Sequence, residues 1–145
     1  MTGTIKLGPG ADLYRIRLPG ADLSGRDLSG ANLALANLKK VKLAGASLAG
    51  AFLFGAVLGE ADLTGARLAG ADCAEADFFG ANLSQADATG ADLRRANLAL
   101  ADLRGACLRD AILRDANLNG ADLTGAEIEG ADMTGATLGE GMPLQ

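Results

Sequence analysis

Histidine and tryptophan are absent from this chain of 145 residues, and aromatics make up only 3% of it. Without histidine the usual general base near neutral pH is missing, and so is the commonest metal ligand. So few large side chains cannot fill a globular core, although 49% of the chain is hydrophobic. Small side chains must instead pack in a regular way. The two cysteines are too few for a disulfide framework. No apolar run approaches the roughly 18 residues that span a bilayer. Met1 to Gly10 holds no apolar segment of the kind found in a signal peptide. These absences predict a soluble, cytoplasmic protein with no membrane partner. Positive charge is also scarce: the formal net charge is −5, which argues against direct nucleic-acid binding by charge.

What is present is repetition. Read in fives from Ala11, the chain runs ADLYR, IRLPG, ADLSG, RDLSG, ANLAL and on to ATLGE at Glu140, giving 26 pentapeptides without insertion or deletion. Ala holds the first place except at Ile16, Arg26 and Val41. Leu holds the third except at Cys73, Phe78, Ala88, Ile128 and Met133. Asp or Asn takes the second place in 16 repeats, and Gly the fifth in 15. Such self-similarity marks a solenoid. The array spans 11–140, with 1–10 as an N-terminal cap and 141–145 as a tail.

A period of five suits neither a helix, which repeats near 3.6, nor a continuous strand, which repeats every 2. A short extended segment followed by a turn does fit. The first and third residues then share the inner side and the second faces out. Gly in the fifth place meets the positive φ that a type II turn demands at its second central residue. Repeated turns of one kind coil the chain.

The array A(D/N)LxG resembles the pentapeptide repeat family. That resemblance implies an all-β, right-handed quadrilateral β-helix with four pentapeptides per coil. The 26 units then make about 6.5 coils, roughly 31 Å of rod at a strand spacing of about 4.8 Å. Coil one is residues 11–30, and each later coil adds twenty residues. The four sides of coil one, starting at Ala11, Ile16, Ala21 and Arg26, define faces one to four. The interior is stacked Leu and Ala, with no room for a substrate. In coil four, Phe78 and Ala88 lie on opposite faces, a large residue against a small one, so Ala88→Leu is expected to overpack the core. At the start of the rod, Ile5 and Leu7 alternate around Lys6 as a short strand in shifted register. Arg26 stands at an inward place near the end, where its guanidinium reaches solvent. Met142 and Leu144 either fold over the last coil or leave an end open to a second copy. The chain is therefore a monomer or an end-to-end homo-oligomer.

Chemistry is sparse. Cys73 points inward and Cys107 outward on another face, so they do not bridge. Face three stacks Asp22, Lys42, Asp62, Asn82, Asp102 and Asp122. A flat ladder does not converge the six to eight oxygens that calcium needs, and these side chains are expected to bond turn backbone. No catalytic residue, metal or cofactor is predicted.

The outer faces carry the functional candidates. Phe52, Phe54 and Val57 point outward in coil three, with Leu35 one coil below and Phe79 one coil above, below Leu100. Exposed apolar clusters mark contact with partners. Arg94, Arg95, Arg109 and Arg114 gather at one edge of coils five and six, either as a basic patch or paired with Asp110, Asp115 and Asp92. The partner-binding residues are thus Leu35, Phe52, Phe54, Val57, Phe79, Arg94, Arg95 and Arg114. Charge is also polarised: residues 1–45 carry a net +4 and 46–145 a net −9.

The leading functional expectation is a non-enzymatic, rigid protein-binding module or scaffold. The resemblance implies an alternative, a DNA mimic that binds a type II topoisomerase such as DNA gyrase, inhibiting it or protecting it from quinolones. Duplex DNA carries one charge per about 1.7 Å, about 18 over the same length, against −5 here.

Overall fold

Every residue in second place bridges in parallel to the residue twenty further on, from Asp12↔Asn32 to Ile112↔Asp132. A twenty-residue rise with four turns makes each coil four-sided. The computed structural model describes residues 4–139. Asn117–Leu118 (β1) and Thr137–Leu138 (β2) pair as two-residue parallel strands. Elsewhere each rung is a single bridging residue. The expectations for residues 1–3, for Glu140 and for the tail with Met142 and Leu144 lie outside the described residues.

The backbone donors show why five residues suffice. The first residue of each unit closes the turn behind it, as Ile16 N–H does to the Leu13 carbonyl at 3.0 Å. The second donates to the coil before (Asn32 to Ala11, 2.8 Å). The third and fifth donate to the coil after (Leu13 to Asn32, 2.8 Å; Arg15 to Ala34, 3.0 Å). The fourth N–H is left over. At all sixteen repeats with Asp or Asn in second place, that side chain accepts it through Oδ1. The Asp/Asn column is therefore a capping device. Pro19, which has no N–H to cap, is the fourth residue of a unit whose second residue is Arg17.

Every fifth residue from Gly10 to Gly135 has positive φ, and ten of them are not glycine. Positive φ at only the second central residue of a closed turn defines type II. A side chain there costs roughly 1–2 kcal/mol, so those ten positions are held against local preference by the ladder.

The core is one continuous stack of Ala and Leu, with Leu28 to Leu58 at 0–1% exposure. Phe78 is fully buried. An apolar cavity of about 10 Å³ lies beside it, lined among others by Cys73, Ala88, Leu93 and Leu108. At about the size of one water and with no polar lining, it stays dry. It is far too small for a leucine at position 88.

The start of the rod differs from the expected shifted strand. No bridge forms over Ile5–Leu7; Ile5 is 60% exposed while Leu7 packs on the core. Pro9–Gly10 supplies a type II turn instead. Ala11 N–H donates to Gly8 O at 3.1 Å, and Gly10 N–H to Ser29 O at 2.8 Å. The repeat register thus reaches back to Gly8. Arg26, above this incomplete unit, is exposed.

Ala88→Leu should cost about 1–3 kcal/mol by overpacking. Phe78→Leu should also destabilise, and the double variant should recover part of both losses. Urea unfolding of the four proteins measures that coupling; additive losses would refute the cross-core contact. Asn82→Ala, which leaves the Ser84 N–H uncapped, should cost about 1 kcal/mol in the same assay. The Asp27, Asp87 and Asp122 carboxyls lie below their ordinary value because the Ser29, Thr89 and Thr124 hydroxyls and N–H groups bond them. A lowered folded-state pKa gives stability that is fully present above the ordinary carboxylate range and lost as pH falls through and below that range. The thermal midpoint should drop across that window. Replacing these three residues by Asn should flatten the drop, because the turn bonds persist without titration.

Candidate protein-binding surface

The apolar candidates all face solvent. Leu35 is 39% exposed, Phe52 52%, Phe54 42%, Val57 37%, Phe79 44% and Leu100 60%. The ladder sets their spacing. Phe52 and Val57 sit in adjacent second places of coil three, around the corner between faces one and two. Leu35 fills that corner one coil below and lies against Gly55, where an added Cβ would come within 2.6 Å of leucine Cδ2. Phe79 sits above Gly59 on face two, and Leu100 ends the run at the far corner. The result is one apolar track from face one across face two. Sequence reasoning missed two further exposed residues, Tyr14 and Ile112. Tyr14 occupies the same column as Phe54, two coils below; that shared column was readable at a spacing of forty residues. Its ring is covered by the Arg15 guanidinium, 5.3 Å from the centroid.

The arginine candidates form a ladder of ion pairs. Arg94 clasps Asp92 at 2.6 Å and Arg104 clasps Asp102 at 2.6 Å. Arg95 lies 3.8 Å from Glu75. Arg109 lies 3.3 Å from Glu127 and 3.2 Å from Glu129. Arg114 pairs with Asp132 one coil above. Asp92 was among the partners expected from sequence; Asp110 and Asp115 are not partners, because their carboxylates lean over Gly130 and Gly135 of the next coil. Hydrogen bonds from Arg94 and Arg104 hold the Asp92 and Asp102 carboxyls below their ordinary value. The Thr134 hydroxyl and then Arg114 lower Asp132 to about 2. These pairs are exposed and each adds little to stability, but they offset part of the acidic charge of the upper coils.

Free positive charge lies elsewhere. Among the described residues, no carboxylate lies within 4.0 Å of Arg15, Arg17, Lys39, Lys40 or Lys42, all in the first two coils. Arg17, Asn37 and Val57 are successive rungs of one ladder, so this cationic end adjoins the apolar track. Cys73 is buried, and burial pushes its thiol far above the ordinary value. Cys107 is half-exposed with its Sγ 3.1 Å from the Thr89 hydroxyl. Among the described residues, no group of three or more acidic or cysteine side chains is placed to hold a metal ion.

Comparison with known proteins fits this geometry. The sequence model of pentapeptide repeats matches in eight copies, over residues 16–53, 46–85, 56–95, 76–115 and 108–139. No curated protein matches the chain. Among solved structures, the chain is 31% identical to HetL, a pentapeptide repeat protein involved in heterocyst differentiation regulation in the cyanobacterium Nostoc sp. strain PCC 7120. That match covers 91% of this chain and 82% of HetL, with a TM-score of 0.42. A second Nostoc PCC 7120 pentapeptide repeat protein is 36% identical over 71% of this chain and 84% of its own, with a TM-score of 0.41. QnrB1, a plasmid-mediated fluoroquinolone resistance protein, is 20% identical over 91% of this chain and 72% of its own, with a TM-score of 0.66, a likeness of fold. The array, the twenty-residue coil and these matches agree: the chain belongs to the pentapeptide repeat family and folds as its right-handed quadrilateral β-helix.

Proposed function

We infer that this chain is a non-catalytic, rigid module that binds another protein through the apolar track on faces one and two, as a scaffold or regulatory binder. The observation that carries the reading is the continuity of Phe52, Phe54, Leu35, Val57, Phe79 and Leu100 on a chain that is 3% aromatic. None of these side chains serves the core, and a contiguous exposed apolar surface is costly unless a partner covers it. A non-catalytic role is supported by the packed apolar interior and by the second-place Asp side chains, which are engaged in capping turns. Two free thiols fit a reducing compartment, which supports a cytoplasmic location.

Mimicry of DNA toward gyrase is the weaker reading. The acidic residues of coils five and six are partly offset by arginines, and the first two coils are cationic. Arg94, Arg95 and Arg114 remain in the proposed surface only as the paired rim above the track.

Phe54→Asp should leave the thermal midpoint within a degree or two, because outward positions add little to the core. It should abolish capture of a partner that wild type retains at high salt. Loss of folding would refute the outward placement. Equal capture of gyrase by both proteins, only at low salt, would overturn the track in favour of mimicry.

A further inference from the structure

We propose that face two is a docking trough for a protein segment that is acidic at one end and apolar along the rest, lying obliquely across the rod with its acidic end over coils one and two. This rests on the binding role above and adds the partner's chemistry and path.

The first support is where the strained corners fall. Glycine meets the positive φ of a corner without penalty, and the corner after face three is glycine at every rung but Gln85. The corner after face four is glycine at every described rung but Asp110. The two corners that bound face two are different. Arg15, Leu35, Glu75, Arg95 and Asp115 stand before it, and Lys40, Glu60 and Leu100 after it. Eight of the ten strained side chains therefore rim one face, where the fold asks only for glycine. Strain kept against the fold's own preference points to use.

The second support is the shape between those rims. Gly59 and Ala99 are buried and leave a low floor on either side of Phe79. Leu35 and Leu100 each lean along the rod into the space over a glycine, Gly55 and Gly120. From Leu35 to Val57, Phe79 and Leu100, each step climbs one coil and shifts along the face by up to two residues. The apolar stripe is thus oblique.

The third support is charge. Arg15, Arg17, Lys39 and Lys40 sit at the lower end of the same face, with no ion-pair partner among the described residues. Higher up, Glu60 and Asp77 make the face acidic, and Glu75 is held by Arg95. A segment that is acidic throughout would be repelled there. One with carboxylates at a single end matches the cations and leaves apolar side chains for the stripe.

The test is selection of a random 16-residue peptide display library on the wild-type protein. Selected peptides are then synthesised and titrated by fluorescence anisotropy. The peptides should carry Asp or Glu at one end beside apolar residues. Affinity should fall at least tenfold for Arg17→Glu/Lys39→Glu and for Leu35→Gly/Leu100→Gly, and hold for Gln85→Gly/Asp110→Gly. Both glycine pairs should keep or raise the thermal midpoint. A lower midpoint for Leu35→Gly/Leu100→Gly would mean those leucines serve the fold, and the proposal falls. Peptides without acidic residues, lost on Phe54→Asp but indifferent to Arg17→Glu/Lys39→Glu, would overturn this inference and leave the binding role standing. No enrichment, or peptides indifferent to every variant, would overturn both.

Discussion

A positive φ at every fifth residue is the constraint on which the rest of this structure depends. It lets the chain turn a corner in two residues, so that four corners fit in twenty and each residue lands on the one twenty before it. Once that register exists, four of every five backbone N–H groups find carbonyls, within the turn or in a neighbouring coil. The fifth falls to the side chain two residues earlier wherever that residue is Asp or Asn. The repeat is thus a solution to backbone hydrogen bonding, with Ala and Leu chosen to fit the narrow interior it leaves.

That solution moves function outward. The interior is packed with Ala and Leu, with an apolar void about the size of a water beside the Phe78–Ala88 mismatch. The acidic column that might suggest a metal site is engaged in capping turns. What varies freely is the outer second place where no cap is made, the fourth place, and those corners where something other than glycine is tolerated. Phe52 and Val57 use the first freedom, Phe54 and Phe79 the second, Leu35 and Leu100 the third. All of them meet on adjoining faces because a shift of twenty or so residues is a step of one coil.

Charge follows the same geometry. A column of Asp residues about 4.8 Å apart repels itself unless cations or amides intervene. The second places of face three alternate Asp with Lys42 and Asn82. In coils five and six the arginines in fourth place reach their own Asp or a carboxylate of the coil above. The first two coils lack that compensation in reverse, and their Arg and Lys residues stand free. The rod is therefore cationic at one end and acidic, with part of its carboxylates paired, higher up.

Much of this was legible in the sequence, because a five-residue period in strict register over 26 units admits few backbones. Which side chains are buried, which Phe faces inward, and that Asp and Asn cap turns all follow from place in the repeat. Other features required the folded coil. Arg114 reaches Asp132 and Arg109 reaches Glu127 because rungs are stacked, whereas sequence proximity favoured Asp110 and Asp115. Gly8 joins the array although its unit, KLGPG, has neither Ala in first place nor Leu in third, because the Pro9–Gly10 turn preserves the register. Face two is set apart only because the coil stacks the corners in four columns. A linear pattern records what each place tolerates locally; which residues become neighbours across twenty positions is set by the closing of the coil.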